Sequence, residues 1–160
     1  MQTTNQIISE ETAVPELRDA VFEDIADILH AQLTAFPDDP ANLDEENFKE
    51  AILDGAHRLL VASIGSVFAG YVIVSNRAYR PWSSLDNLIV LPDFAGKGVG
   101  RCLLNGVMKP FRHRRILRLY VESKNHRAVG MYKRNGFTHL HTQKNNYENN
   151  DDALVMYKFL

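Results

Sequence analysis

The sequence predicts a mixed α/β fold in which helices cover both faces of a single layer of sheet. Its 160 residues are enough for one domain with a substantial core. Segments with strand-like alternation and segments with helical spacing follow one another in the order β-α-α-β-β-β-α-β-α-β-β. A composition of 45% hydrophobic and 24% charged residues is ordinary for a globular protein. We therefore expect one domain over residues 13–160, preceded by a flexible tail over 1–12.

The first half of the chain opens with a strand and continues with two helices and three strands. The periodicity predicts a strand over 14–21, helices over 22–36 and 45–55, a hairpin over 57–76 and a strand over 83–91. Asp44 can cap the second helix and Gly55 can end it. The hairpin turns near Gly65. Pro92 stops the last strand because proline cannot donate to a ladder.

The second half alternates helices and strands. The pattern predicts a helix over 100–109, a strand over 115–123, a helix over 125–137 and strands over 138–147 and 151–160. The first of these helices is apolar on more than one side, so we expect it to be buried, with Pro110 ending or kinking it. Gly136 ends the second helix.

Charge and cysteine content exclude several classes of protein. A net charge of −2 without a long basic run argues against a general nucleic-acid binder, and the basic stretch 112–115 is expected at a helix end or in the following loop. A single cysteine, Cys102, allows no internal disulfide and suits the cytoplasm. No apolar run of about 18 residues and no signal-like N-terminus occur, so we expect no membrane association.

The stretch "PDFAGKGVGRCLL" is the most informative one for function. It places Gly96, Gly98 and Gly100 in one turn between a strand and a helix, where free N–H groups and the helix dipole favour an anion. Lys97 and Arg101 add positive charge. The spacing fits neither a P-loop nor a dinucleotide fingerprint. A phosphate-bearing ligand is the natural prediction, with a merely tight strand-to-helix connection as the alternative.

Two stretches together, "LIVLPDFAGKGVGRCLL" and "LYVESKNHRAVGMYKRNGF", resemble the GNAT (general N-acetyltransferase) superfamily. The resemblance covers most of the chain and implies a central mixed, mostly antiparallel sheet that is splayed at a cofactor cleft. It also implies transfer of an acetyl group from acetyl-CoA to a primary amine. The late stretch "KNNYENNDDALVMYKFL" is similar to the branch that acetylates the N-terminal alanine of a ribosomal protein. Ala95 departs from the family, which usually has Gln or Arg there.

The resemblance also implies which residues bind acetyl-CoA. In the family, loop amides hold the pyrophosphate and the free backbone of the preceding strand pairs with the pantetheine arm. The asparagine of Asn-x6-Tyr contacts the cofactor, and the tyrosine lies near the acetyl sulfur. Carried onto this sequence, the binding residues are Leu88, Ile89, Val90, Gly96, Lys97, Gly98, Val99, Gly100, Arg101, Asn125 and Tyr132.

Two catalytic groups are needed, an acid for the thiolate and a base for the amine. Tyr132 is the predicted acid, since a phenol stays protonated at neutral pH; otherwise it is a core residue with a bonded hydroxyl. The predicted base is Asp86, with Glu122 or an ordered water as alternatives. Tyr120 occupies the position where the alanine-acetylating branch has its glutamate. Tyr120 and Glu122 should share one face of their strand.

Other residues leave alternatives open. Trp82 and Tyr79 form either an acceptor wall or loop anchors. His139 and His141 should share a strand face, but two histidines without a third ligand do not make a metal site, so no metal is predicted. Cys102, inside a predicted buried helix, is an unlikely acyl carrier, which favours direct attack in a ternary complex.

The acceptor is an amine, either a peptide N-terminus or a small molecule. The acidic residues of 38–46 would favour a cationic amine if they lie at its entrance. A homodimer is possible. The alternative function is a non-catalytic module that binds or senses acyl-CoA.

Overall fold

One sheet runs through the part of the chain that the computed structural model describes, residues 13–109 and 115–160. Its strands are β1 (Glu16–Asp19), β2 (His57–Ile64), β3 (Val67–Asn76), β4 (Ser83–Val90), β5 (Ile116–Glu122), β6 (Thr138–Gln143) and β7 (Ala153–Phe159). The helices are α1 (Ile25–Ala35), α2 (Glu45–Leu53), α3 (Val99–Val107) and α4 (His126–Arg134). Short 3₁₀ turns, Phe22–Asp24 and Pro92–Phe94, precede α1 and follow β4. Every predicted element is present, and the mixed α/β class is confirmed.

The strands pair in the order β1-β2-β3-β4-β5-β7-β6. All neighbouring pairs are antiparallel except β4 and β5, which run parallel. The parallel pairing is short and joins Ser83–Leu85 to Leu117–Leu119. Beyond Leu85, β4 pairs with β3 alone. The sheet is therefore mostly antiparallel and opens between its two middle strands, as expected.

Side chains at alternate positions of β2, β3 and β4 pack into two separate hydrophobic cores, one on each face of the sheet. Leu59 and Val61 of β2 pack with α1 and α2 on one face, where Ile28 and Phe48 are fully buried. Leu60 and Ala62 of β2 pack on the other face with α3 and α4. Helices thus cover both faces, which is the layering that the element order predicts.

Helix boundaries follow local signals. The Asp44 carboxylate accepts from the Asn47 amide at 2.8 Å and caps α2, as predicted. α3 ends two residues earlier than expected, at Val107, and its exposed side chains, Arg101 and Asn105, lie on one side. Its other residues are buried or half-buried, so the predicted burial of this helix is confirmed.

Three predictions fall outside the described residues: the tail over 1–12, the role of Pro110 and most of the basic stretch 112–115. None of the helices in the described ranges is long and apolar enough to cross a membrane.

Candidate functional site

The opening of the sheet leaves one side of β4 without a strand neighbour. Leu88, Ile89 and Val90 pair with β3 residues Val72, Tyr71 and Gly70, but have no partner on β5. Backbone N–H and C=O groups on the open side therefore need another hydrogen-bonding partner. An extended ligand lying between β4 and β5 can supply it, in the way that a peptide adds to a sheet edge.

The glycine turn lies at the mouth of this opening. Gly96 and Gly98 have φ values of 77° and 81°, a left-handed conformation that favours glycine. A Cβ added to either would meet no atom within 4 Å, so the surface above the turn is open. A Cβ on Gly100 would come 3.2 Å from Met131 Sδ and 3.6 Å from Val90 Cγ2. The turn is thus packed against both the end of β4 and α4.

The start of α3 fits an anion. Gly98 is its N-cap and provides no side-chain cap, and the amide of Cys102 is the first to bond back to Gly98, at 3.0 Å. The amides of Val99, Gly100 and Arg101 precede that first intrahelical bond. Lys97 and Arg101 are exposed beside them, and within residues 13–109 and 115–160 neither has a carboxylate partner. Free amides, two cations and open glycines together suit a phosphate group.

Asn125 and Tyr132 lie at the two ends of α4, on one side of the helix. The Asn125 side-chain oxygen caps the helix by accepting from the Ala128 amide at 3.1 Å. The Tyr132 ring is buried, 6% exposed, and packs edge-on against Phe137 at 5.5 Å between centroids. Burial, with a smaller contribution from Tyr147, raises the pKa of Tyr132 to about 12. The phenol therefore stays protonated at neutral pH.

Sequence reasoning missed Tyr147, which lies in the loop between β6 and β7. It is half-buried, and burial together with the nearby charges of Glu122 and Asp39 raises its pKa. Tyr147 in turn acts on the pKa of Tyr132. The loop between α1 and α2, the end of β5 and α4 thus converge on it. The Asn-Tyr element of the sequence was the available signal, but no local pattern reveals such a convergence.

A polar network holds the β6–β7 loop against the end of β5. Asn149 Nδ2 donates to Glu122 Oε1 at 3.2 Å and to Asp151 Oδ2 at 2.8 Å. Lys124 forms an ion pair with Asp151. Glu122 shares a strand face with Tyr120, as predicted, since the two pair with Ala153 and Val155. Glu122 therefore contributes to positioning the loop that carries Tyr147.

Asp86 lies where β4 and β5 separate. It is the extra residue of a β-bulge, because Leu85 pairs with Val74 and Asn87 with Ile73. The residue is exposed, but protein atoms around its carboxyl displace water and raise its pKa. The Ser75 hydroxyl and the charges of His57, Arg77 and Arg80 act in the opposite direction. Of these neighbours, Ser75 lies on β3 and His57 on β2, so both are on the β3 side of β4.

The two histidines of β6 differ from the prediction. His139 pairs with Met156 and His141 with Val155, so a bulge at Leu140 places the histidines on opposite faces. The expectation of a shared face is wrong, because an extra residue reverses the alternation. No group of three potential metal-binding side chains occurs within the described parts of the chain.

Cys102, Tyr79 and Trp82 each have defined surroundings in the structure. Burial raises the pKa of the Cys102 thiol, and its Sγ lies 3.8 Å from the Pro15 carbonyl oxygen, away from β4. Tyr79 is exposed, and its hydroxyl accepts from Arg77 at 3.2 Å. Trp82 is half-buried between two arginine side chains.

Comparisons with known proteins agree with this geometry. Residues 22–137 match the Acetyltransferase (GNAT) family. The chain is 31% identical over 128 residues to a mycothiol acetyltransferase of Propionibacterium freudenreichii, covering 76% of this chain and 41% of that protein. It is 26% identical over 148 residues to a putative [ribosomal protein bS18]-alanine N-acetyltransferase of Bacillus subtilis, covering 88% and 93%.

A solved structure has the same fold. A putative acetyltransferase from Salmonella typhimurium, solved with its cofactor acetyl-CoA, superposes with a TM-score of 0.78 at 22% identity, over 92% of this chain and 94% of that one. The family match covers most of the chain, from the first helix through the end of α4. The chain therefore belongs to the Acetyltransferase (GNAT) family of N-acetyltransferases.

Proposed function

We propose that this protein transfers the acetyl group of acetyl-CoA to the free amine of a peptide N-terminus. The observation that carries the proposal is the opening between β4 and β5, with the glycine turn at its mouth and Tyr132 beside it. The Bacillus relative supports a peptide acceptor, since its name gives a ribosomal-protein alanine as substrate and the two chains match over almost their whole lengths.

Acetyl-CoA acts here as a substrate that supplies the activated acetyl group. The free amides of Val99, Gly100 and Arg101 and the charges of Lys97 and Arg101 would hold its pyrophosphate. The open backbone of Leu88, Ile89 and Val90 would pair with its extended arm. The side chain of Asn125 retains an amide group that its capping bond does not use. Ala95 supplies no side chain to this site, so the binding depends on the backbone.

The reaction is a direct attack of the amine on the thioester carbon. A C–N bond forms as the C–S bond breaks, and holding both substrates in one opening lowers the barrier. Asp86 accepts the amine proton; its raised pKa makes it a stronger base than an ordinary aspartate. Tyr132 hydrogen-bonds the departing sulfur and supplies its proton. Glu122 is the second candidate for the base, but its carboxylate is already bonded to the β6–β7 loop.

Two measurements test the proposal. Acetyl-CoA at a hundredfold excess over its dissociation constant should stabilise the protein by about 2.7 kcal/mol, which raises Tm by about 5–10 °C. A peptide with a free N-terminal alanine should then release thiol and gain an acetyl group by mass. The control is the same peptide with a blocked N-terminus. A protein that gives the shift but acetylates no amine is the acyl-CoA-binding module predicted as the alternative.

A small-molecule amine is the second candidate acceptor. The 31% identity to a mycothiol acetyltransferase favours it, although this chain spans less than half of that protein. A panel of small amines in the same assay distinguishes the two acceptors. If the acceptor is a peptide N-terminus, kcat/KM should be higher for the peptide than for any small amine. Cytoplasmic location and a possible homodimer remain predictions; gel filtration with light scattering tests the second.

A further inference from the structure

Cationic and aromatic side chains alternate at the closed end of the opening, where β4 and β5 are still paired. The guanidinium carbon of Arg118 lies 4.7 Å from the centre of the Trp82 ring and 5.6 Å from that of Tyr120. Arg118 Nη2 donates to the Tyr120 hydroxyl at 3.3 Å. Arg80 contacts the Trp82 ring as well, at 5.7 Å. We call Arg80, Trp82, Arg118 and Tyr120 the arginine–tryptophan platform.

The platform holds donors that lack acceptors. Arg118 Nε and Trp82 Nε1 are buried, and neither has a hydrogen-bond partner among residues 13–109 and 115–160. Neither Arg80 nor Arg118 forms an ion pair within these ranges. Buried donors are rarely left unpaired, and a guanidinium held in place by stacking binds a carboxylate through two parallel N–H bonds. The platform therefore has the features of a carboxylate site.

Among the described residues around the platform, positively charged groups outnumber carboxylates. Arg77 and Arg80 both act on the Asp86 carboxyl. Arg118, beside the Trp82 ring, is a third guanidinium at this end of the two strands, where Asp86 is the carboxylate on which the other two act. The site retains positive charge for an anionic ligand.

The opposite end of the same strand face is negative. Glu122 lies four residues from Arg118 on β5, and its charge acts on Tyr147 together with that of Asp39. At about 3.3 Å per residue the two ends are separated by about 13 Å. An extended peptide advances about 3.3–3.6 Å per residue, so a peptide whose amine lies at Asp86 or at Glu122 can place an acidic side chain of its first four residues on the platform.

We propose that the platform binds an acidic side chain of the acceptor peptide and so selects peptides with Glu or Asp at the second, third or fourth position. The inference rests on the proposed function, because it assigns the acceptor class of the same site. No group is transferred at the platform; the arginines only hold the carboxylate while the amine reacts elsewhere.

Trp82 is the only tryptophan of the chain and reports on the platform directly. The full-length protein with CoA is titrated with N-terminal alanine peptides that carry one Glu at position 2, 3 or 4, and with an all-Gln reference. We expect Trp82 fluorescence to saturate at about fivefold lower concentration with the best Glu peptide. We expect kcat/KM with acetyl-CoA to favour the same peptide. Equal titrations for Glu and Gln peptides would overturn the proposal.

Variants locate the effect. Arg118→Gln should abolish the difference between Glu and Gln peptides, and Arg118→Lys should restore only part of it, because lysine keeps the charge but lacks the two-pronged geometry. Arg58→Gln on β2 is the matched control and should keep the full difference. A difference that persists in Arg118→Gln would assign the selectivity elsewhere and overturn the inference.

The readouts separate this inference from the proposed function. Discrimination by fluorescence without acetylation of any peptide would refute the proposed function and leave the carboxylate site standing. Acetylation of Glu and Gln peptides at equal kcat/KM would do the reverse. Titration with free glutarate tests whether the platform binds a peptide side chain or any small carboxylate. If glutarate alone changes the fluorescence at the concentration that the Glu peptide needs, the acceptor assignment is wrong.

Discussion

Tyr132 combines a buried ring with a functional group at its tip. Its ring packs against Phe137, while no hydrogen bond to its hydroxyl occurs among the described residues. Tyr132→Phe keeps the packing and removes only the acid. We expect kcat to fall about 10²-fold or more, with the stabilisation by acetyl-CoA unchanged. Tyr157→Phe on β7, at the residue that pairs with Arg118, makes the same chemical change and should keep full activity towards peptides without an acidic side chain. A fully active Tyr132→Phe enzyme would exclude the tyrosine as acid.

Asp86 should affect activity and stability in opposite directions. Its raised pKa means that the fold disfavours the carboxylate, so the cost is present above the folded-state pKa and disappears as pH falls below it. Asp86→Asn should therefore raise Tm at pH 8, with the gain vanishing in acid, while kcat/KM at neutral pH falls about 10²-fold.

Glu122→Gln provides the comparison for the base. It leaves the proton acceptor in place and weakens a loop contact, so we expect a higher KM for the acceptor and an unchanged acidic limb of the pH–rate profile. If Glu122→Gln removes that limb and Asp86→Asn does not, the two roles must be exchanged.

Residue positions were predictable where regular alternation holds. Tyr120 and Glu122 share a face because β5 pairs with β7 without interruption. His139 and His141 do not, because nothing in "THLHTQ" indicates that Leu140 is extra. The convergence of Asp39, Glu122, Tyr132 and Tyr147 joins segments far apart in the chain, and only the fold brings them together.

At the scale of elements, the turn before α3 depends on backbone that only glycine adopts easily. Gly98→Ala forces a Cβ into a left-handed conformation, which costs about 1–2 kcal/mol, and covers the surface proposed for the pyrophosphate. We expect lower Tm and weaker binding of acetyl-CoA in this variant, both measured by thermal unfolding with and without ligand.

Gly65→Ala separates the two effects. Gly65 has a φ of 55° and similarly open space, but it lies in the β2–β3 turn. It should lose comparable stability and bind acetyl-CoA normally. Equal loss of binding in both variants would mean that Gly98 acts only through the fold.

The helices and strands were predicted well because burial of one face gives each of them a regular spacing of apolar residues. β2, β3 and β4 alternate between two cores, and β5 alternates between one core and a polar face, so their period is visible in the sequence. The early end of α3 was not visible, because its apolar residues continue to Met108 while the helix stops at Val107. The gap between β4 and β5 was expected only from the family resemblance, since both strands read as ordinary apolar segments.

At the scale of the whole molecule, the sheet remains intact despite its opening. β4 is fixed by its long pairing with β3 on one side and by α3 packed beneath it, so the side facing β5 is left free. The opening is therefore stable without ligand, and binding needs little rearrangement of the backbone, which keeps the entropic cost of binding low.

Stability at low pH depends on the hydrogen bonds that Asp24 forms with Arg18 and Val21. Asp24, at the start of α1, accepts two bonds from Arg18 of β1 at 2.7 and 2.8 Å and one from the Val21 amide at 2.8 Å. The guanidinium, supported by the amide, lowers the pKa of Asp24. The carboxylate thus stabilises the fold above its unfolded pKa near 4, and this contribution is lost as pH falls through the lower folded value.

Asp24→Asn should lower stability at pH 7 by about 1–3 kcal/mol, or about 3–8 °C in Tm, because charged hydrogen bonds are weakened inside a buried site. The difference from the wild type should shrink as pH falls from about 5 to 2, since the wild-type carboxyl is then protonated too. Asp27→Asn, an exposed change three residues further along, should leave Tm nearly unchanged. Thermal unfolding of the three proteins across pH measures this. A difference that stays constant down to pH 2 would mean that Asp24 acts through packing and that its charge contributes nothing.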